Sequence, residues 1–152
     1  MMFHLLVIAA AWAFQVEQDP LGQAVYVAEI RERPGVGLQF SCGGIVGVVL
    51  QYNLGDAAYA DKRFSTAEPE WEDVRFDFAE GPYDTTAKLA PITDGIGAYE
   101  IKGSDAAFIA GLFQAGGSVS IKHDDATAAF SLEGAGLAIG QVFDACPFKY
   151  PA

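Results

Sequence analysis

Residues 36–54, VGLQFSCGGIVGVVLQYNL, contain two apolar runs separated by a glycine pair. The first run is apolar at every second position, which predicts a half-buried strand that points its cysteine inward: Val36, Leu38, Phe40 and Cys42. The second run, residues 45–54, is rich in β-branched residues without alternation and predicts a fully buried strand. Gly43-Gly44 lacks the lysine and the spacing of a phosphate-binding loop, so it predicts a turn or bulge between the two strands.

Outward from this stretch, alternation predicts more short strands. They are residues 14–16, 24–30 (AVYVAEI), 74–78 (VRFDF), 97–103 (GAYEIKG) and a hairpin within 118–132. Residues 55–73 are polar and predict a long loop, and residues 84–94 favour neither state.

Two segments of the C-terminal half have helical periodicity. The first has Ser104 as its predicted N-cap and a predicted apolar stripe of Phe108, Ile109, Leu112 and Phe113. The second starts near Gly136 and is predicted to bury Ile139, Val142, Phe143 and Cys146. The predicted fold is therefore mainly β, a sandwich of antiparallel strands, with two short helices in the C-terminal half.

The N-terminal segment MMFHLLVIAAAWA combines an apolar run with Ala11-Trp12-Ala13, which fits a small-x-small cleavage site. A buried first strand or an anchor is the alternative, although the run is shorter than the ~20 residues that span a bilayer. We expect residues 1–13 to be a cleaved signal peptide and residues 14–152 to form one domain. The mature chain would be periplasmic or secreted, without a transmembrane segment.

Export would place both cysteines of the chain in an oxidising compartment. An even count there predicts the disulfide Cys42–Cys146, and two separate buried thiols are the alternative in a reducing compartment. Closing a loop of about 100 residues stabilises a fold by up to ~4.7 kcal/mol in the chain-entropy model.

The formal net charge of −11, from 20 acidic and 9 basic residues, argues against nucleic acid or an anionic membrane as a partner. Such a charge favours a basic protein partner, or a solvated acidic surface that binds nothing.

The acidic segment EPEWED, residues 68–73, predicts the partner-binding surface. Trp71 is framed by Glu70, Glu72 and Asp73, and an exposed tryptophan among carboxylates suits a basic partner. The alternative is a Trp71 side chain that folds back and caps one end of the sandwich.

Residues for catalysis or metal binding form no recognisable constellation. His123 is the single histidine of the predicted mature chain, in HDD on a hairpin turn, where an exposed turn is favoured over metal ligation because adjacent turn residues point in different directions. We therefore predict no catalytic residue, no metal site, no cofactor and no enzymatic activity.

Five segments occur in an order that carries a resemblance: FQVEQDPLG, LQFSC, VRFDF, SDAAFIAGLFQAGGSVSIK and FSLEGAGLAIGQVFDAC. Together they resemble the small exported proteobacterial proteins of the VasI-like type VI secretion-associated group and, more distantly, the invasion-associated locus B family. The chain departs from that pattern at Phe14, where such proteins often carry tryptophan, and in its long acidic loop. The resemblance implies a β-sandwich without known catalytic residues, with Cys42 and Cys146 as its disulfide.

The expected function is that of an exported, non-enzymatic accessory or protein-binding module of the Gram-negative envelope. The alternative is an acidic inhibitor of a basic cell-wall hydrolase such as lysozyme. A third hypothesis, a glycan hydrolase, requires two carboxylates, one of them in an apolar pocket.

Overall fold

The structure of the chain is a computed structural model that describes residues 11–45, 47–55, 68–90 and 96–146. Its strands are β1 (Ala13–Gln18), β2 (Ala24–Arg33), β3 (Val36–Gly43), β4 (Gly47–Leu54), β5 (Glu72–Phe78), β6 (Gly81–Leu89), β7 (Tyr99–Lys102), β8 (Ser118–His123) and β9 (Ala126–Ser131). Its helices are α1 (Gly103–Phe113), between β7 and β8, and α2 (Ala135–Ala145), after β9. The prediction of a mainly β fold with two short helices in the C-terminal half is confirmed.

The strands follow one hydrogen-bonded order, β1-β2-β3-β4-β7-β6-β5-β8-β9, and neighbouring strands are antiparallel. Strand β6 joins the two halves, because it pairs with β5 from Gly81 to Ala87 but with β7 only at Lys88 and Leu89. The halves then face each other, and the rings of Tyr52 on β4 and Phe76 on β5 lie 6.1 Å apart. The core therefore lies between the two halves, as in a β-sandwich, although the described strands all belong to one hydrogen-bonded sheet.

Strand β3 is buried along its whole length, not on one face as its alternation predicts. Its apolar residues join the core as expected, while Ile96 covers part of the second face. A Cβ at Gly37 would lie 2.8 Å from Ile96 Cδ1, so glycine is what allows this close approach. A neighbour contributed by a distant segment therefore hides a face that the local pattern marks as open.

Helix α1 packs against β4 and begins two residues earlier than its sequence suggests. Its N-cap is Lys102, so the prediction of Ser104 as the N-cap is wrong. The buried face comprises Ala106, Ile109, Ala110 and Phe113, whereas 54% of Phe108 is exposed. Ala106 and Ala110 lie on the buried face in place of Phe108 and Leu112 of the predicted stripe. Their small side chains allow the helix to lie close to the sheet.

Helix α2 packs against β2 and β1 and buries Ile139, Val142 and, just after its last residue, Cys146. The sulfurs of Cys42 and Cys146 lie at bonding distance, with their Cα atoms 5.7 Å apart. The predicted pair therefore ties the end of α2 to β3, across 104 residues of sequence.

Strands β5 and β6 extend beyond their sequence predictions. Strand β5 begins at Glu72, inside the predicted loop 55–73, and β6 occupies part of the ambiguous segment 84–94. Residues 56–67 of that loop, like residues 1–10 of the predicted signal peptide, lie outside the described residues. Across the described ranges, neither helix has the length and apolar character needed to cross a bilayer.

The last residues of the predicted signal peptide belong to the folded domain. Ala13 is the first residue of β1, and the Trp12 Nε1–H donates a hydrogen bond of 2.7 Å to the Ser131 carbonyl. The Trp12 ring also lies 6.3 Å from that of Phe113. A chain cut after Ala13 would lose these contacts.

Candidate functional site

His123 is the last residue of β8, and it points into the core. Val119 and Ile121 precede it at alternate positions and are buried, and His123 continues that face with no exposed surface. The turn comprises Asp124 and Asp125, since His123 still pairs with Ala126 of β9. The prediction of His123 on an exposed turn is therefore wrong, because the inward alternation of β8 continues one residue further than expected.

Two tyrosines from the opposite half of the sheet hold the imidazole. Tyr52 Oη lies 2.7 Å from His123 Nδ1, and the Tyr99 ring stacks on the imidazole at 3.9 Å between centroids. Burial raises the pKa of Tyr52, and the nearby Tyr99, Glu72 and Asp124 raise it further. The Tyr52 hydroxyl therefore stays protonated at ordinary pH.

Two carboxylates approach the other imidazole nitrogen. His123 Nε2 lies 3.2 Å from Glu72 Oε1 and 3.9 Å from Asp124 Oδ2. The Glu72 side chain is 25% exposed and that of Asp124 57% exposed, so the cluster reaches from the core to the surface. One nitrogen and two oxygen atoms of this His123 cluster lie within 4.8 Å of one another, close enough to hold a metal ion.

Glu72, His123 and Tyr52 stand in the acid–base–nucleophile order of a hydrolase triad, with a tyrosine hydroxyl in the nucleophile's place. Tyr52 has no exposed surface, however, and its pKa is raised. A substrate cannot reach a hydroxyl in that position, so these three residues form a buried hydrogen-bonded chain.

Trp71 lies on the outer face of the sheet, opposite Lys88 when the β5–β6 register is extended by one residue. Its side chain is 58% exposed, and Lys88 Nζ lies 4.6 Å from the ring centroid. The alternative in which Trp71 folds back as a cap is therefore wrong. A cation on one ring face holds the indole in place while leaving much of it open to solvent.

A groove of about 520 Å³ lies on the same outer side. Charged residues dominate its lining, namely Asp73, Arg75, Asp84, Lys122 and Asp124, together with Val74 and Thr85. Arg75 Nε donates to Asp84 Oδ1 at 2.8 Å, and this hydrogen bond raises the pKa of the guanidinium. One acidic and one basic side chain of the groove are therefore paired with each other.

The predicted partner-binding residues divide between two sides of β5. Glu70, Trp71 and Asp73 are exposed, whereas Glu72 is half-buried and contacts His123. The alternation along Glu72–Phe78 accounts for the division, because Glu72 shares its parity with the buried Val74 and Phe76. That signal is visible in the sequence once β5 is known to begin at Glu72.

Sequence reasoning missed Tyr52 and Tyr99 as contacts of His123, and it considered Asp124 only as a disfavoured metal ligand in HDD. The inward parity of β8 could have identified His123 itself as buried. No local pattern pairs it with β4 and β7, since these strands meet β8 only across the core. No protein-family model, curated protein or solved structure matches this chain, so the resemblance described from its motifs stays a prediction.

Proposed function

We propose that this chain is an exported, non-enzymatic binding module of the bacterial envelope that takes a basic protein partner on its outer face. The exposure of Trp71 carries the proposal. Large aromatic side chains are usually buried in isolated proteins, and exposed tryptophans held in one orientation are frequent anchors of interfaces.

The setting of Trp71 supports a basic partner. Lys88 holds the indole from one side, which reduces the side-chain entropy lost on binding. Glu70 and Asp73 lie within two residues of Trp71 in the sequence and are exposed, and the chain carries a net charge of −11. An arginine or lysine of the partner could stack on the indole while its neighbours approach these acids.

Two further observations support the other parts of the proposal. Disulfides such as Cys42–Cys146 form in oxidising compartments, and export would deliver the chain to one. The single histidine among the described residues is fully buried, so it is poorly placed for acid–base chemistry on a substrate.

Photocrosslinking tests the proposed surface. A photoreactive phenylalanine analogue at position 71 should crosslink one envelope protein, whereas the same analogue at position 137 should not. Leu137 is a matched control because it is also exposed and apolar but lies on α2. Equal crosslinking at both positions, or none at position 71, would contradict the proposal.

The lysozyme-inhibitor alternative is a special case of this surface and has its own test. Titration calorimetry with lysozyme should show binding that weakens as salt is added. The Kd should be about tenfold or more higher for Trp71→Ala than for the unmodified chain. Glu70→Gln/Asp73→Asn should weaken binding more than the charge-matched control Glu133→Gln/Asp144→Asn. Equal weakening by the two double variants would indicate diffuse charge attraction instead of a binding surface.

A further inference from the structure

We propose that Glu72, His123 and Asp124 form a binding site for one Zn²⁺ ion. The ligand atoms would be His123 Nε2, Glu72 Oε1 and Asp124 Oδ2, which already converge at 3.2 and 3.9 Å from the imidazole nitrogen. The site differs from the proposed partner-binding surface and would exist without any partner. It also revises the expectation, drawn from sequence, that HDD does not bind metal.

The imidazole is oriented as a metal ligand requires. A metal-bound histidine usually hydrogen bonds through its other nitrogen, which fixes the ring and its tautomer. Here the Tyr52 hydroxyl lies 2.7 Å from Nδ1, and Tyr99 stacks against the ring face. When Nε2 binds the ion, the imidazole proton would lie on Nδ1 and point at the Tyr52 oxygen.

The charge of the cluster matches a divalent cation. Glu72 and Asp124 are both acidic and lie beside a fully buried ring. Their carboxylate oxygens would attract a Zn²⁺ ion, which would bring all three groups together.

The ligand types and spacing favour zinc over other common ions. Zinc takes imidazole and carboxylate ligands at about 2.0–2.2 Å in tetrahedral geometry, which separates neighbouring ligand atoms by about 3.3 Å. The 3.2 Å distance from Nε2 to Glu72 Oε1 already fits, and the 3.9 Å distance from Nε2 to Asp124 Oδ2 would need to shorten by a movement of the exposed turn. Calcium and magnesium prefer six or more oxygen ligands, and nitrogen is a poor substitute.

The fourth position would be open to water. Asp124 lines the outer groove and is mostly exposed, so water can reach an ion held beside it. The ion would join the start of β5 to the β8–β9 turn. Because the ligands converge only in the folded chain, zinc should raise the Tm.

The direct test is zinc binding by the full chain after treatment with a chelator. Competition with a chromophoric zinc indicator should give one Zn²⁺ per chain and a Tm that rises with added ion. Asp124→Asn and Glu72→Gln should each raise the Kd for Zn²⁺ by about tenfold or more, because removing a ligand costs at least as much as removing an outer hydrogen-bond partner. Asp124 is exposed, so its variant should fold normally.

Asp125→Asn is the matched control, because Asp125 is an exposed carboxylate on the same turn and lies outside the cluster. His4→Gln is the second control, since His4 is the other histidine of the chain. Both controls should bind zinc as the unmodified chain does. Much less than one ion per chain, or an equal loss in Asp125→Asn or His4→Gln, would overturn the proposal.

Discussion

Tyr52 and His123 are 71 residues apart in sequence, and Tyr52 Oη lies 2.7 Å from His123 Nδ1. Tyr52 belongs to β4 and His123 to β8, in the two halves of the sheet that face each other. The contact therefore fixes the register of one half against the other. Both side chains are fully buried, so neither has water as a substitute partner.

Tyr52→Phe should lower the free energy of unfolding by about 1–3 kcal/mol, because it leaves a buried imidazole nitrogen without its partner. Urea unfolding at pH 7 measures the change. Tyr26→Phe removes the same hydroxyl from a half-buried position on β2 and should change stability by less than about 0.5 kcal/mol. Equal effects of the two variants would mean that the hydroxyl bond contributes nothing specific.

Reduction of Cys42–Cys146 should lower the free energy of unfolding by about 2–5 kcal/mol. The bridge closes a loop with a sequence separation of 104, so the unfolded chain gains much conformational freedom when the bond is broken. Urea midpoints with and without reductant measure the difference, and alkylation followed by mass measurement counts the thiols. Two thiols that are alkylated without reductant, with one common midpoint, would contradict the disulfide.

Asp19 should give the fold an acid-sensitive contribution to stability. One carboxylate oxygen accepts from the Leu21 and Gln23 amides at 2.9 and 2.8 Å, and the other accepts from the Ile45 amide at 3.0 Å. Desolvation acts to raise the pKa of Asp19, but these three donors together lower it below 3.8.

A lowered folded pKa gives stability that is present above pH 3.8 and is lost as the pH falls through the folded pKa. Asp19→Asn should therefore flatten the fall in stability below about pH 4, as measured by urea unfolding across a pH series. Glu17→Gln is the control, since Glu17 is exposed on neighbouring β1. An unchanged acid slope in Asp19→Asn would contradict this role.

Tyr83 should make the stability of the fold depend on pH in the alkaline range. Its hydroxyl donates to Asp105 Oδ1 at 2.6 Å, joining β6 to α1, and this bond, with burial and the Asp105 charge, raises the pKa of Tyr83 to about 12. A raised folded pKa gives stability that is complete below pH 10 and is lost between about pH 10 and 12. Tyr83→Phe should reduce that loss, and unfolding curves at pH 9, 10 and 11 test it. An unchanged alkaline slope would show that the bond is not maintained.

Trp12→Ala should lower the free energy of unfolding by about 2 kcal/mol, because the variant loses the hydrogen bond to Ser131 and the contact with Phe113. Trp71→Ala is the control and should change stability by less than about 0.5 kcal/mol, since Trp71 is mostly exposed.

The intact mass of protein from its native host tests export. A mass starting at Phe14 would support the predicted cleavage, and a mass retaining Met1 would contradict it.

Local periodicity in the sequence was sufficient to predict most of the secondary structure. The alternation in β3, β5 and β8 identifies strands and their inward faces, and the 3.6-residue period of α2 predicts the burial of Ile139 and Val142, although Phe143 is only half-buried. These patterns are readable because each reports the burial of one face of one element. The pairing of Cys42 with Cys146 was predictable for a different reason, since the chain has only two cysteines.

Tertiary structure alone decided what meets across the core. The sequence indicates a turn at HDD, yet the alternation of β8 carries His123 inward to Tyr52 and Tyr99, which come from strands paired elsewhere in the sheet. Likewise, EPEWED is one acidic segment in sequence, but the start of β5 turns Glu72 towards His123 and leaves Trp71 outside. A periodic pattern specifies the face on which a side chain lies, whereas the folding of the sheet onto itself determines which other side chains that face contacts.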